Sequence, residues 1–292
     1  MFSRPNCPAL DAILGQEFPI LNHGFIRVVD YMGGDDAVVQ AARVSYGAGT
    51  KTVRDDRALI RYLLSHSHTT PFEMAEIKLH VKMPIFVARQ WIRHRTASVN
   101  EYSARYSILD KEFYSPSAEA IAAQSDSNRQ GRGKPLELRE QNDVNETITA
   151  ISNASYDAYV ALLNENDQGE QLNPDRLGLA RELARSVLPV GFYTQWYWKT
   201  DLHNLLRFLE LRTDPHAQWE IRQYALKILD IVKVWAPLTY EAFIDFRSGR
   251  TELSAAATNV VQRWLAGEAV SQEDSGLSKR EWNDLQNSLK PK

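Results

Sequence analysis

Residues 89–107 read RQWIRHRTASVNEYSARYS. Arg89, Arg93, Arg95 and Arg105 crowd this stretch together with His94, and Trp91, Tyr102, Ser98 and Ser103 are interleaved with them. Forked guanidinium donors beside hydroxyls are the inventory for holding a phosphate or another oxyanion. Gln90, one turn before Arg93, adds an amide that can read another amide or a base edge. Glu101, set among cations, is most simply an orienting partner for an arginine. The net charge of −3 means that any such anion site is local. A plainer reading stays open at this level. Basic residues at a helix C-terminus complement the helix dipole without binding anything.

Arg181, Arg185 and Arg212 lie further along, each beside an apolar helix. Glu182, Glu210 and Asp214 are near in sequence, so structural ion pairing is the simplest expectation for them. Only proximity to the first cluster would make them functional. Metal chemistry finds little support: His66 and His68 have no second cluster at ligand spacing. The single cysteine, Cys7, excludes an intramolecular disulfide and sits outside any strand-turn-helix context. No G-x-S-x-G, G-x-G-x-x-G or P-loop pattern occurs, so covalent catalysis, a Rossmann site and a P-loop are all unsupported.

The elements that must position these residues follow from local pattern. GFIRVVDYM (24–32) reads as a strand closed by Gly33-Gly34, and Asp35 or Asp36 can cap a helix through Ser45. A second helix fits 53–65. Thr70, Pro71 and Glu73 suggest a capping box opening a short helical turn. EIKLHVKMP (76–84) alternates strictly, the signature of a half-buried strand. Pro84 ends it and opens the helix PIFVARQWIRHR, which places the basic cluster at a helix C-terminus and in the loop beyond. Residues 114–140 read as a mobile surface loop. Helices are expected at about 142–165, with Val144, Ile148, Ile151, Tyr159 and Leu162 inward, and from Pro174 to Val187. FYTQWYWKT (192–200) reads as a strand. Asp201 caps the helix LHNLLRFLEL, and a long helix runs to Trp235. Two amphipathic segments follow in the polar tail.

With 292 residues, 43% hydrophobic and 24% charged, the chain has the composition of a soluble globular protein. It shows neither a signal peptide nor an apolar run of membrane-spanning length, so a cytoplasmic protein without membrane or nucleic-acid partners is expected. The economical assignment is one mixed α/β domain over 1–250, with 251–292 as a helical C-terminal extension.

RHRTASVNEYSARY resembles the signature of the flavin-dependent thymidylate synthases: Arg-His-Arg, seven residues, then Ser, here Arg93-His94-Arg95 to Ser103. HTTPFE (68–73), PIFVARQWIRHR, ARELARSVLP (180–189) and FLELRTDPHAQWEIR (208–222) are similar to segments of the same family, in its order. The likeness covers roughly residues 20–245. It implies an α+β fold, a central antiparallel-rich sheet with flanking helices, assembled as a homotetramer with active sites shared between subunits. The implied reaction makes dTMP from dUMP, with 5,10-methylenetetrahydrofolate as methylene donor, FAD as hydride carrier and NADPH as reductant. By the same resemblance dUMP is held by Gln90, Trp91, Ile92, Arg93, Glu101, Tyr102, Ser103, Ala104, Arg105, Arg185 and Arg212. FAD is held by His68, Thr70, Arg93, His94, Arg95, Glu101, Asp201, Leu202, His203 and Arg207. Arg212 is the implied catalytic residue, stabilising the ionised uracil without an enzyme thiolate. The chain departs from the family where many members carry Asn-x-Arg, having Asp201-Leu202-His203 instead. Two rival readings make different predictions. A flavin reductase or oxidase would bind FAD without dUMP-dependent reoxidation, and an RNA binder would show salt-dependent affinity and no flavin.

Overall fold

In the computed structural model the described residues are 5–44, 55–126, 131–166 and 168–290. They form two compact units that part between Phe243 and Ile244. In the first, strands β1 (Glu17–Ile20), β2 (Gly24–Met32), β3 (Glu76–Pro84) and β4 (Ser98–Glu101) are followed by a small hairpin, β5 (Ala122–Gln124) and β6 (Arg132–Pro135), and by β7 (Tyr193–Asp201). The main sheet has the order β1-β2-β3-β7-β4, antiparallel throughout. The same unit holds α1 (Pro8–Asp11), α2 (Asp35–Val44), α3 (Asp56–Ser65), α4 (Ile85–Trp91), α5 (Leu138–Leu163), α6 (Arg181–Ala184), α7 (Leu202–Arg212), α8 (Trp219–Trp235) and α9 (Pro237–Phe243).

Alternation decides which face of the sheet is covered. Ile77, Leu79, Val81 and Met83 of β3 are fully buried, while the intervening residues stay partly exposed. Trp196 and Trp198 of β7 point to the same apolar layer. α8 closes it with Ile221, Tyr224, Ala225, Ile228, Ile231, Val232 and Trp235, spaced three and four apart. Tyr224 reaches across the sheet and donates its hydroxyl to the Lys82 carbonyl at 2.8 Å. It passes Gly24 so closely that an added Cβ would lie 2.0 Å from its oxygen. Only glycine fits there.

Asp201 caps α7 as the sequence suggests, accepting from Asn204 N at 2.8 Å. Asp55 caps α3; the expected starts at 53–54 and the end at Ser45 lie outside the described residues. Elsewhere the structure corrects the pattern. The turn Thr70–Met74 is a 3₁₀ turn preceded by Thr69, and no side chain caps it. α4 stops at Trp91, so Arg93, His94 and Arg95 lie in the connection to β4, a strand the sequence does not announce. α5 starts at Leu138 and buries Ser152, Tyr156, Tyr159 and Leu163, whereas Ile151 and Leu162 are exposed.

The helix expected from Pro174 shrinks to α6 and a 3₁₀ turn, Arg185–Val187. Asn164 explains this: its side-chain amide captures the carbonyls of Asn173 (2.8 Å) and Arg176 (2.6 Å), and Leu179 N bonds Leu162 O. Backbone groups held in this way are not free for a helix. The 114–140 stretch is no open loop among its described residues; it carries the β5–β6 hairpin and is tied to α8 through Tyr114 and Arg132.

The second unit contains α10 (Ala255–Leu265) and α11 (Lys279–Ser288), the two amphipathic segments of the tail. Val260, Leu277 and Leu285 form its core, with Trp264 and Trp282 edge to face at 5.5 Å.

Candidate active site

Trp91 ends α4 wholly buried. Its ring stacks on Phe208 at 4.8 Å and meets Trp196 and Trp198 edge-on. Phe208 in turn meets the edge of His94 at 4.9 Å. This aromatic wall fixes the place where α4 ends and the basic connection begins. Because the Trp91 ring is in the core, any contact it makes to a ligand comes from its backbone.

Arg212, the last residue of α7, donates from Nε to His94 Nε2 at 3.0 Å. The acceptor role requires a neutral ring with the proton on Nδ1. Burial, then the charges of Arg212 and Arg207, lower the His94 pKa to about 4. Burial also lowers the Arg212 pKa. With Nε occupied, both terminal nitrogens of Arg212 remain to donate elsewhere.

The connection is pinned where Thr200 Oγ1 donates to the Thr96 carbonyl at 3.1 Å. At the same edge Leu202 N donates to Ala75 O at 2.8 Å, tying the Thr70–Met74 turn to the start of α7. These bonds bring the candidate flavin residues His68, Thr70, Arg93, His94, Arg95, Asp201, Leu202 and His203 to one end of β4 and β7. Leu202 itself is buried, with its N–H already used. Asp201 uses both carboxylate oxygens on Asn204, and Arg207 pairs with Glu210 at 2.8 Å.

Glu101, Tyr102, Ser103, Ala104, Arg105 and Arg185 gather at the opposite end. Glu101 closes β4 opposite Trp196 and accepts from Thr194 Oγ1 at 2.7 Å. Its partner is therefore a threonine, not the arginine expected from sequence. Tyr102 N bonds Gln195 O, and the Arg105 N–H donates to Ser103 Oγ at 3.4 Å. Ala104 and Ala184 pack into one apolar cluster with Phe192 and Tyr159, which brings Arg105 and Arg185 to the same patch. From Ser98 to Glu101 a strand advances about 10 Å. Arg212 and Arg105 thus belong to two stations of one chain.

Pairing separates the arginines. Arg181 is held by both oxygens of Glu165. Arg93, Arg95, Arg105, Arg185 and Arg212 have no carboxylate partner among the described residues, and Ile92 is exposed between the first of them and the core. Gln90 Oε1 is buried without a partner among the described residues. This is a donor set left open for an anion, and it fits the phosphates of a nucleotide and of a flavin dinucleotide. Sequence reasoning missed Phe208, Thr194, Gln218 and Glu220. The last two lie in HAQWEIR, where a glutamate in a first turn reads as a solvent-facing dipole partner.

Residues 27–238 match the family described as "Thymidylate synthase complementing protein". The chain belongs to that family. It is 59% identical to a flavin-dependent thymidylate synthase of Gluconobacter oxydans over 97% of this chain and 90% of that protein. A flavin-dependent thymidylate synthase of Rickettsia bellii is 54% identical, with 97% of each chain covered. Among solved structures, a UMP/dUMP methylase, PolB, from Streptomyces cacaoi, bound with 5-Br UMP, superimposes with a TM-score of 0.67 at 34% identity, covering 78% of this chain and 96% of that one. As a flavin-dependent thymidylate synthase the chain is an enzyme of the mixed α/β, antiparallel-sheet class expected from its sequence. The reductase and RNA-binding readings are not favoured.

Proposed function

We propose that this enzyme methylates dUMP to dTMP with FAD at the His94 end of β4, taking its one-carbon unit from 5,10-methylenetetrahydrofolate and its reducing equivalents from NADPH. The observation that carries the reading is that Arg93, Arg95, Arg105, Arg185 and Arg212, the arginines of the candidate site, have no carboxylate partner among the described residues, with Arg212 oriented by a neutral His94. FAD supplies hydride chemistry when bound. The chain's own residues do the rest. Arg93 and Arg95 neutralise phosphate, and Ser103, Arg105 and Arg185 hold the nucleotide. Arg212 donates to the uracil as negative charge develops on it, a preorganised donor in a site shielded by Trp91 and Phe208.

No thiol is placed to help. Cys7 Sγ lies against Val234 O at 3.5 Å, fifteen residues along α8 from Trp219, or roughly 22 Å within the chain. The two stations on β4 support a site completed by a second subunit, as in a homotetramer in the cytoplasm. Among the described residues no helix is long and apolar enough to cross a membrane.

The test is the absorption spectrum of the purified protein, followed by anaerobic NADPH reduction with and without dUMP. A flavin band at about 450 nm that bleaches faster with dUMP, and dTMP appearing once methylenetetrahydrofolate is added, are the expected results. A protein that takes up no FAD, or forms no dTMP, would overturn the proposal.

A further inference from the structure

Gln90 is tied to four side chains that the reading above does not use. Its Nε2 donates to Gln218 Oε1. Gln218 Nε2 donates to Glu220 Oε2 at 3.0 Å. Glu220 Oε1 accepts from Tyr114 Oη at 2.8 Å and from Arg132 at 2.5 Å. Glu220 is 1% exposed and sits in the first turn of α8. A buried carboxylate is tolerated only when its partners satisfy it, and as a stabilising device it is often no better than an apolar residue. Its contacts here lead toward the candidate site.

Chemistry fixes the direction of this chain of bonds. An ionised carboxylate accepts and does not donate. Gln218 must therefore turn its NH2 toward Glu220 and its carbonyl toward Gln90. Gln90 must then aim its NH2 at Gln218, which leaves Oε1 facing away. That oxygen is the buried acceptor without a partner. Tyr114, whose pKa burial and Glu220 raise, remains a phenol and therefore a donor at the far end.

We propose that Glu220 is a positioning residue which, through Gln218, holds the Gln90 amide oxygen turned away from Gln218 and unpartnered, to accept a hydrogen bond from a donor group of the bound nucleotide. The inference rests on Gln90 being a dUMP contact. dUMP offers two donors of this kind, the sugar 3′-hydroxyl and the imide N3–H, whereas its ionised phosphate only accepts. Arg132 and Tyr114 anchor to the same carboxylate.

The experiment titrates FAD-loaded protein with dUMP, its 3′-deoxy analogue and its 3-deaza analogue, in the wild type, Gln218→Met and Glu220→Gln. The wild type should bind one analogue about tenfold more weakly than dUMP, and which one identifies the donor. In Gln218→Met, dUMP should weaken by about tenfold and discrimination against that analogue should shrink to about twofold. Glu220→Gln should move in the same direction. A purely structural role would instead lower the melting temperature and weaken all three ligands alike. That result, undiminished discrimination in Gln218→Met, or equal binding of all three ligands by the wild type, overturns the relay. A wild type that binds FAD but no dUMP overturns the synthase proposal as well.

Discussion

Arg181 and Arg185 stand one turn apart, yet they belong to different kinds of structure. Arg181 is clasped by Glu165 and also donates to the Tyr106 carbonyl. Among the described residues Arg185 reaches only the Glu182 carbonyl, at 3.3 Å. The same contrast recurs on α7, where Arg207 pairs with Glu210 while Arg212 faces a neutral histidine. An arginine neutralised within the fold serves the fold. Within the candidate site, those left without a carboxylate keep donors open, and that state is maintained by withholding acids as much as by supplying bases.

Breaking the second class should harm chemistry, with the largest effect at Arg212. Arg212→Ala should lower kcat/KM for dTMP formation by at least about 100-fold, on the order of 3 kcal/mol, with flavin still bound. Near-normal turnover in steady-state assays would remove Arg212 from its assigned role. Arg185→Ala should raise the dUMP KM by about tenfold or more with little change in melting temperature. Mixing it with Arg93→Ala subunits sharpens the comparison. Recovery of part of the activity is expected if one site draws on two chains, and strict additivity of the two impaired proteins would argue against sharing.

The pH response tests the orienting contact. The folded His94 pKa, about 4, lies below the ordinary 6.5, so the fold prefers the neutral ring. Its contribution to stability is therefore present above 6.5 and is lost as pH falls toward 4. Activity limited by this histidine should stay level from pH 7 to about 5 and drop only near 4. A midpoint near 6.5 in kcat/KM profiles would show that Arg212 does not depend on a neutral partner. The smallest effect belongs to the first class. Arg181→Ala should leave the dUMP KM within about twofold and cost about 1 kcal/mol of stability in denaturant melts.

Legibility in the sequence followed how local the cause was. β2, β3, β7 and α7 could be read closely because alternation, turn glycines and the Asp201 cap lie within the elements themselves. β4 could not. SVNE is a strand because β7 lies beside it, a partner nearly a hundred residues away. The length of α6 was hidden for a similar reason, since one amide on Asn164 decides it from the end of another helix. The arginine cluster was visible from residue types alone. Which arginines were free was not, because Glu165 and Glu210 look no different in sequence from Glu101, which met a threonine instead. Glu220 was the least legible: nothing local tells a buried first-turn glutamate from a solvated one.

Gly24 carries a last consequence. Tyr224 follows Glu220 by one turn on α8, so the hydroxyl that crosses Gly24 belongs to the same rigid rod as the carboxylate beneath Gln90. A single methyl at residue 24 would also meet the Ile20 and Lys82 carbonyls, at 2.7 and 2.8 Å. It would press on that rod from the face of the sheet that the helix covers. The freedom to vary residue 24 is thus constrained by the alignment of a helix whose first turn is tied to Gln90.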